Sequence, residues 1–167
     1  MTIGVVVGKN NIYGKWLEIR NQYKRQADLI PVLTNLTYNY LKYEYQTLLD
    51  VVEARAKILA NALTGNNVTE IAKAGDDLNQ YTVQLLAVAE AYPDLKGNTV
   101  VLELVSEVSG TQNRITVARR RFNENIVGYN NLLVVTPLAR LFGYSEMRGL
   151  EFLETPENPP SIPEWEF

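Results

Sequence analysis

The sequence contains no cysteine and no histidine. Without cysteine there are no disulfides, no thiolate nucleophile and no cysteine-attached haem, and without either residue the usual zinc sites are excluded. The missing histidine also removes the side chain most often used as a general base near neutral pH. Basic charge is short as well: Lys and Arg number 16 against 19 Asp and Glu, a net charge of -3 with no long basic block. Nucleic-acid binding requires a coherent cationic stripe, so no nucleic-acid partner is expected. Long apolar runs are lacking too. The N-terminal run is Ile3 to Val7, with Gly4 inside it and Gly8 after it. A membrane-spanning helix needs about 20 apolar residues, and a signal peptide needs a basic start and a longer hydrophobic core. Residues 1–12 therefore read as a stub, either a core-packing length of chain or the end of a longer anchor.

What is present is helical periodicity. The 167 residues are 46% hydrophobic and 21% charged, which suits one folded soluble domain with a sizeable core. Trp16, Ile19, Tyr23, Ala27, Ile30, Leu33, Thr37, Leu41, Tyr45, Leu48, Val52, Ala56, Leu59 and Leu63 step by three or four residues and share one helix face. Pro31 lies in this stripe, and its missing amide and ring clash predict a kink or break at about Ile30. Gly65-Asn66-Asn67 forms a turn, and Asn67 with Glu70 has capping-box spacing, so a second helix starts near Val68. Its stripe runs through Ile71, Ala74, Leu78, Tyr81, Leu85 and Val88 and stops before Pro93. Gly75 inside it weakens the helix and marks a close approach to a neighbour.

A third long helix starts between Asp94 and Thr99 and ends at Thr136-Pro137. Its stripe is Val101, Leu104, Val108, Thr111, Ile115, Ala118, Phe122, Ile126, Tyr129 and Leu133. A short apolar segment, Leu138 to Phe142, follows. Helices this long are stable only when their stripes bury one another, and short turns at Gly65 and Pro93 fold the chain back on itself. The expected fold is all-α: an elongated antiparallel three- or four-helix bundle over residues 13–143. Residues 144–167 differ, with six acids against Arg148 and four prolines (Pro156, Pro159, Pro160, Pro163). This acidic, Pro-rich tail is expected to be non-helical. It carries -5 where residues 1–143 carry +2, and Trp165 and Phe167 suit it either to dock on the bundle or to meet a partner.

Few residues suggest chemistry. Arg119-Arg120-Arg121, with Arg114 upstream, cannot all avoid the stripe through Ala118 and Phe122, so one is expected to reach a carboxylate such as Asp50 or Glu53. Three consecutive arginines point in different directions around a helix and make no flat patch. Lys24-Arg25-Gln26-Ala27-Asp28 is a second polar cluster, in which Asp28 is placed to pair with Lys24. Metal sites in bundles draw on Glu-x-x-His pairs, which this chain does not have, and it has no phosphate-binding or nucleophile motif. No catalytic, cofactor or metal residue is therefore assigned, and an enzymatic role is not expected. Tyr38, Tyr40, Tyr43 and Tyr45 crowd two helical turns, wider than any one face, so Tyr38, Tyr40 and Tyr43 are candidates for an interface.

Three blocks then resemble the LemA family. They are Tyr23-Lys24-Arg25-Gln26-Ala27-Asp28-Leu29-Ile30-Pro31, Ala89-Glu90-Ala91-Tyr92-Pro93-Asp94-Leu95-Lys96, and Asn113-Arg114-Ile115-Thr116-Val117-Ala118-Arg119-Arg120-Arg121-Phe122-Asn123. Glu53-Ala54-Arg55-Ala56 lies between the first two and is family-like. The likeness covers roughly residues 12 to 143. Gln26 stands where an arginine is common, Val32 for Asn, Gln112 for Glu and Phe122 for Tyr, and the segment after Pro137 looks shorter than the family's ending. The resemblance implies a helical bundle behind an N-terminal membrane anchor, an outward-facing domain and an undefined biochemical role. By this likeness residues 3–7 look like the downstream end of such an anchor. The expectation is a membrane-tethered scaffold or interaction domain for an unknown protein partner. The alternative is a module responsive to a small molecule, an anion or a lipid headgroup. Arg25, Asp28, Arg55, Arg114, Arg119, Arg120 and Arg121 are the polar residues that either specify the fold or recognise a ligand.

Overall fold

A computed structural model of the chain describes residues 2–41, 43–147 and 149–150, without the side chains of residues 2, 3 and 44. Among the described residues the structure is all-α, with six helices and no strand. They are α1 (Thr2–Thr37), α2 (Tyr43–Ala62), α3 (Val68–Ala91), α4 (Pro93–Lys96), α5 (Thr99–Val135) and α6 (Leu138–Leu141). Residues 151–167, and with them the expectations about Trp165, Phe167 and the prolines, lie outside the described residues.

Residues 2–12 are the beginning of α1, in which Val5 and Ile12 are buried. One expectation about the first hundred residues needs correction: the helix does not break at Ile30 but runs through Pro31 to Thr37. Proline within a helix costs about 3 kcal/mol, but here it is embedded in a stripe whose burial opposes that cost. Ile30, Leu33, Thr34 and Thr37 are all buried, so the apolar face continues in register on both sides. The break falls instead at residues 38–41, where no glycine or proline signals it. Thr37 closes α1 with its hydroxyl bonded back to the Leu33 and Thr34 carbonyls, an arrangement that competes with helix continuation. The interruption also resets the phase: Leu49, not Leu48, is the fully buried residue of α2, followed by Val52, Ala56 and Leu59.

The later elements follow the sequence closely. The Asn67 side chain accepts from the amides of Thr69 and Glu70 and caps α3. Pro93 ends α3 and opens the single turn α4. Asn98 caps the start of α5, accepting from Val100 and Val101. The Gly65 turn folds α3 back onto α2, where Ile71, Leu78 and Leu85 are buried.

The chain divides into two compact units. The first joins residues 1–20 to residues from 116 onward, and the second spans residues 21–115. In the first, Trp16 and Phe122 are both buried and their rings meet at 6.2 Å. Gly8 lets the start of α1 approach α5, since a Cβ there would lie 3.2 Å from Cδ2 of Tyr129. Met147 and Leu150 lie beside α5. Asn130 exchanges two hydrogen bonds with the Met147 backbone, and Asn123 donates to the Leu150 carbonyl. The second unit has its own close approach at Gly75, where a Cβ would overlap the buried ring of Tyr23. The packing role expected of this glycine is therefore met by an aromatic side chain of α1.

Candidate functional site

The candidate residues divide between the two units, and each set is local to its own. In the second unit, Glu107 on α5 is held by two arginines through the same carboxylate oxygen. Arg25 Nε on α1 lies 2.8 Å from Oε1, and Arg114 Nη2 lies 2.6 Å from it. Arg114 also donates to Gln22 and to the Thr111 hydroxyl. The hydrogen bond from Arg114 holds the Glu107 carboxyl below its ordinary value of 4.5; desolvation opposes it, and the positive charges of Arg25 and Arg114 add to the lowering. Arg55 bridges α2 to α3, with Nη1 3.1 Å from Asp77 Oδ2 and its guanidinium 5.6 Å from the Tyr81 ring centre. Three candidate arginines thus act within the protein, joining helices through half-exposed pairs of modest strength.

Asp28 is exposed, and the expected pair with Lys24 is not among the ion pairs of the described residues. Glu53, one of the carboxylates anticipated for the arginine run, pairs with Lys57 on its own helix at 2.8 Å. In the first unit the three consecutive arginines diverge as helical geometry requires. Arg119 is only 7% exposed beside Ala118 and Phe122. Arg120 and Arg121 are exposed, Arg120 with a long 3.7 Å contact to Glu124.

The tyrosines expected at an interface lie at the α1–α2 break. Tyr38, Tyr40 and Tyr43 are all exposed, Tyr43 to 87%. Tyr45 turns inward and meets Tyr92 edge to face at 5.6 Å. Beside them is an open hollow of about 690 Å³ whose lining includes Tyr40, Pro93, Asp94 and Asn98. The Asn98 amide donates to the Tyr40 hydroxyl at 3.1 Å, fixing that ring at the rim. The hollow thus carries one aromatic ring, Tyr40, and one carboxylate, Asp94, with Tyr38 and Tyr43 exposed nearby in sequence.

Several residues escaped the sequence reading. Glu107 looked like one acid among many, and only its position opposite Arg25 gives it a role. Asn123 and Asn130 are seven residues apart, hence on one helix face, a spacing that was available as a signal. Gln26 is fully buried with neither amide atom partnered, a cost of about 1–3 kcal/mol. We have no physical account of that burial. Among the described residues, no group of three or more acidic side chains is gathered to hold a metal ion, and no helix is long and apolar enough to cross a membrane.

The model of the LemA family matches residues 15–166. The chain belongs to the LemA family. The match extends through the acidic segment, beyond the 12–143 span over which the resemblance was read. The three LemA-like blocks supply Arg25, Asp94, Arg114 and Arg119, and so include both arginines of the Glu107 bridge and the acid of the hollow. A search of curated proteins found no match.

Proposed function

We propose that this LemA-family chain is a non-enzymatic helical scaffold or interaction domain, tethered to a membrane in the full-length protein and projecting on its outer side. The observation that carries the reading is the exposed aromatic edge of the second unit. Tyr38, Tyr40 and Tyr43 lie at a helix break, next to a hollow large enough for a partner side chain or loop. Aromatic side chains presented on an ordered frame are frequent anchors of protein–protein contacts. The lack of histidine and cysteine supports the non-catalytic part of the reading.

The test is a pull-down with the wild-type chain and with Tyr38, Tyr40 and Tyr43 replaced by serine. Partners retained by the wild type and lost by the triple variant support the surface; identical partner sets contradict it. Tethering is tested separately by the full-length gene product, in which a hydrophobic run of about 20 residues ahead of α1 is expected.

A second reading, response to an anion or lipid headgroup, is favoured only by Arg120 and Arg121, which are exposed and at most weakly paired. Arg25, Arg55 and Arg114 are already engaged by carboxylates. A rise in melting temperature with phosphate, lost in an Arg120→Gln/Arg121→Gln variant, would favour this reading; no rise with phosphate or headgroup analogues would end it.

A further inference from the structure

The chain that follows α6 is held by its backbone. The amides of Gly143 and Tyr144 bond the carbonyls of Arg140 and Ala139, the paired bonds of a Schellman turn. Arg140 then pairs with Glu146 at 2.6 Å. Beyond it, Asn130 on α5 treats Met147 as a neighbouring strand would. Its Nδ2 donates to the Met147 carbonyl at 2.7 Å and its Oδ1 accepts from the Met147 amide at 2.9 Å. Asn123 donates to the Leu150 carbonyl, and the Leu150 side chain is buried. These three bonds read main chain, which every residue but proline offers in full.

The spacing matches an extended ligand. Asn123 and Asn130 lie about two helical turns apart, roughly 10.5 Å along α5, and three residues of extended chain cover about 10 Å. A carbonyl three residues on therefore arrives at the next asparagine. One position is selective. A Cβ on Gly149 would lie 2.6 Å from Asn123 Oδ1, and that side chain cannot swing away without giving up Leu150. The site is also incompletely used. Asn130 engages both its donor and its acceptor, but Asn123 Oδ1 is buried with no partner. A buried acceptor left unmet weakens the hold of the resident chain, so a segment offering an amide there can replace it.

We infer that the Asn123–Asn130 face of α5 is a binding site for an extended protein segment with glycine before an apolar residue, and that the chain's own segment ending at Leu150 occupies it in cis. Main-chain bonds supply the affinity and the Gly–Leu position the selectivity, as in strand addition to a sheet edge. The site lies in the first unit and does not involve the tyrosine edge, so its failure and the failure of the scaffold reading are separate results.

The Gly149→Val chain opens the site, and a fluorescein-labelled, end-capped peptide of residues 144–150 probes it by anisotropy. The peptide should bind this variant. It should bind the wild-type chain at least about tenfold more weakly, because the attached segment competes at a roughly millimolar effective concentration. Adding Asn123→Leu and Asn130→Leu should abolish binding, as should Gly149→Val in the peptide. In the otherwise wild-type chain, Asn130→Leu should speed exchange of the Met147 amide about tenfold. Circular dichroism should show each variant as helical as the wild type, since Asn123 and Asn130 are half-buried and Gly149 lies outside the helices. The inference is overturned if the peptide binds the wild-type and Gly149→Val chains alike, binds neither, or still binds after loss of both asparagines. A Met147 amide that exchanges at the wild-type rate in Asn130→Leu overturns it too. So does a wild-type dimer that Gly149→Val dissolves, which would place the segment on a second copy.

Discussion

The two units differ in the surface that each leaves exposed. Residues 21–115 hold eight basic and eleven acidic side chains, and arginines there are engaged within the unit: Arg25 and Arg114 on Glu107, Arg55 on Asp77. Residues 1–20 and 116–150 hold as many basic residues and three acidic ones, and Glu151, Glu154 and Glu157 follow directly in sequence. Apolar surface differs more clearly. In the second unit the exposed tyrosines end in a hydroxyl, and one of them is fixed by Asn98. In the first unit Leu138 and Leu141 of α6 are exposed hydrocarbon, on either side of the exposed Arg140. The difference teaches that one all-helical chain can present two kinds of surface, an aromatic edge whose rings end in hydroxyls and an aliphatic end at α6.

The largest expected effect separates the units by stability. Phe122→Ala removes a buried ring packed on Trp16 and should cost about 3–5 kcal/mol, read as a fall in the urea midpoint followed by tryptophan fluorescence. Hydrogen exchange of the variant should rise first in residues 2–20 and 116–135. An equal rise across α3 would show that the division has no thermodynamic meaning. Next, Gly75→Val drives a branched side chain into the Tyr23 ring of the second unit and should cost about 1–3 kcal/mol, measured by thermal melting. A melting temperature unchanged from wild type would show that the ring is free to move aside.

The smallest effect concerns pH. The Glu107 carboxyl lies below its ordinary 4.5 in the folded protein, chiefly through the hydrogen bond from Arg114. A lowered folded-state value means the stabilisation is complete above about pH 4.5 and disappears as pH falls through the lower value. Glu107→Gln should flatten the acid limb of the stability curve and change little at pH 7. A variant with an unaltered acid limb would remove Glu107 from the bridge that ties α1 to α5 in the second unit.

Much of the fold is legible in the sequence because stripe spacing, Asn67, Pro93 and Pro137 act locally. The buried positions of α5, from Val108 to Leu133, fall on the face that periodicity marks. The break was not legible where it occurs. Pro31 is a strong local signal overridden by burial on both sides, whereas Tyr38–Leu41 carries no turn residue stronger than Asn39. The candidate sites are less legible for a related reason. Which arginine meets which acid depends on helix pairing, so Arg25 and Glu107, 82 residues apart, become one feature only in three dimensions. The α6 end was visible as a short apolar segment, but its exposure was not, because the sequence alone does not show where the following chain goes.

Hydrogen exchange of the Phe122→Ala variant against the wild type tests the contrast between the two units most directly. The expected result is faster exchange confined to residues 2–20 and 116–135, with residues 43–91 unchanged. Equal acceleration in α2 and α3, or no change in α5, would contradict it.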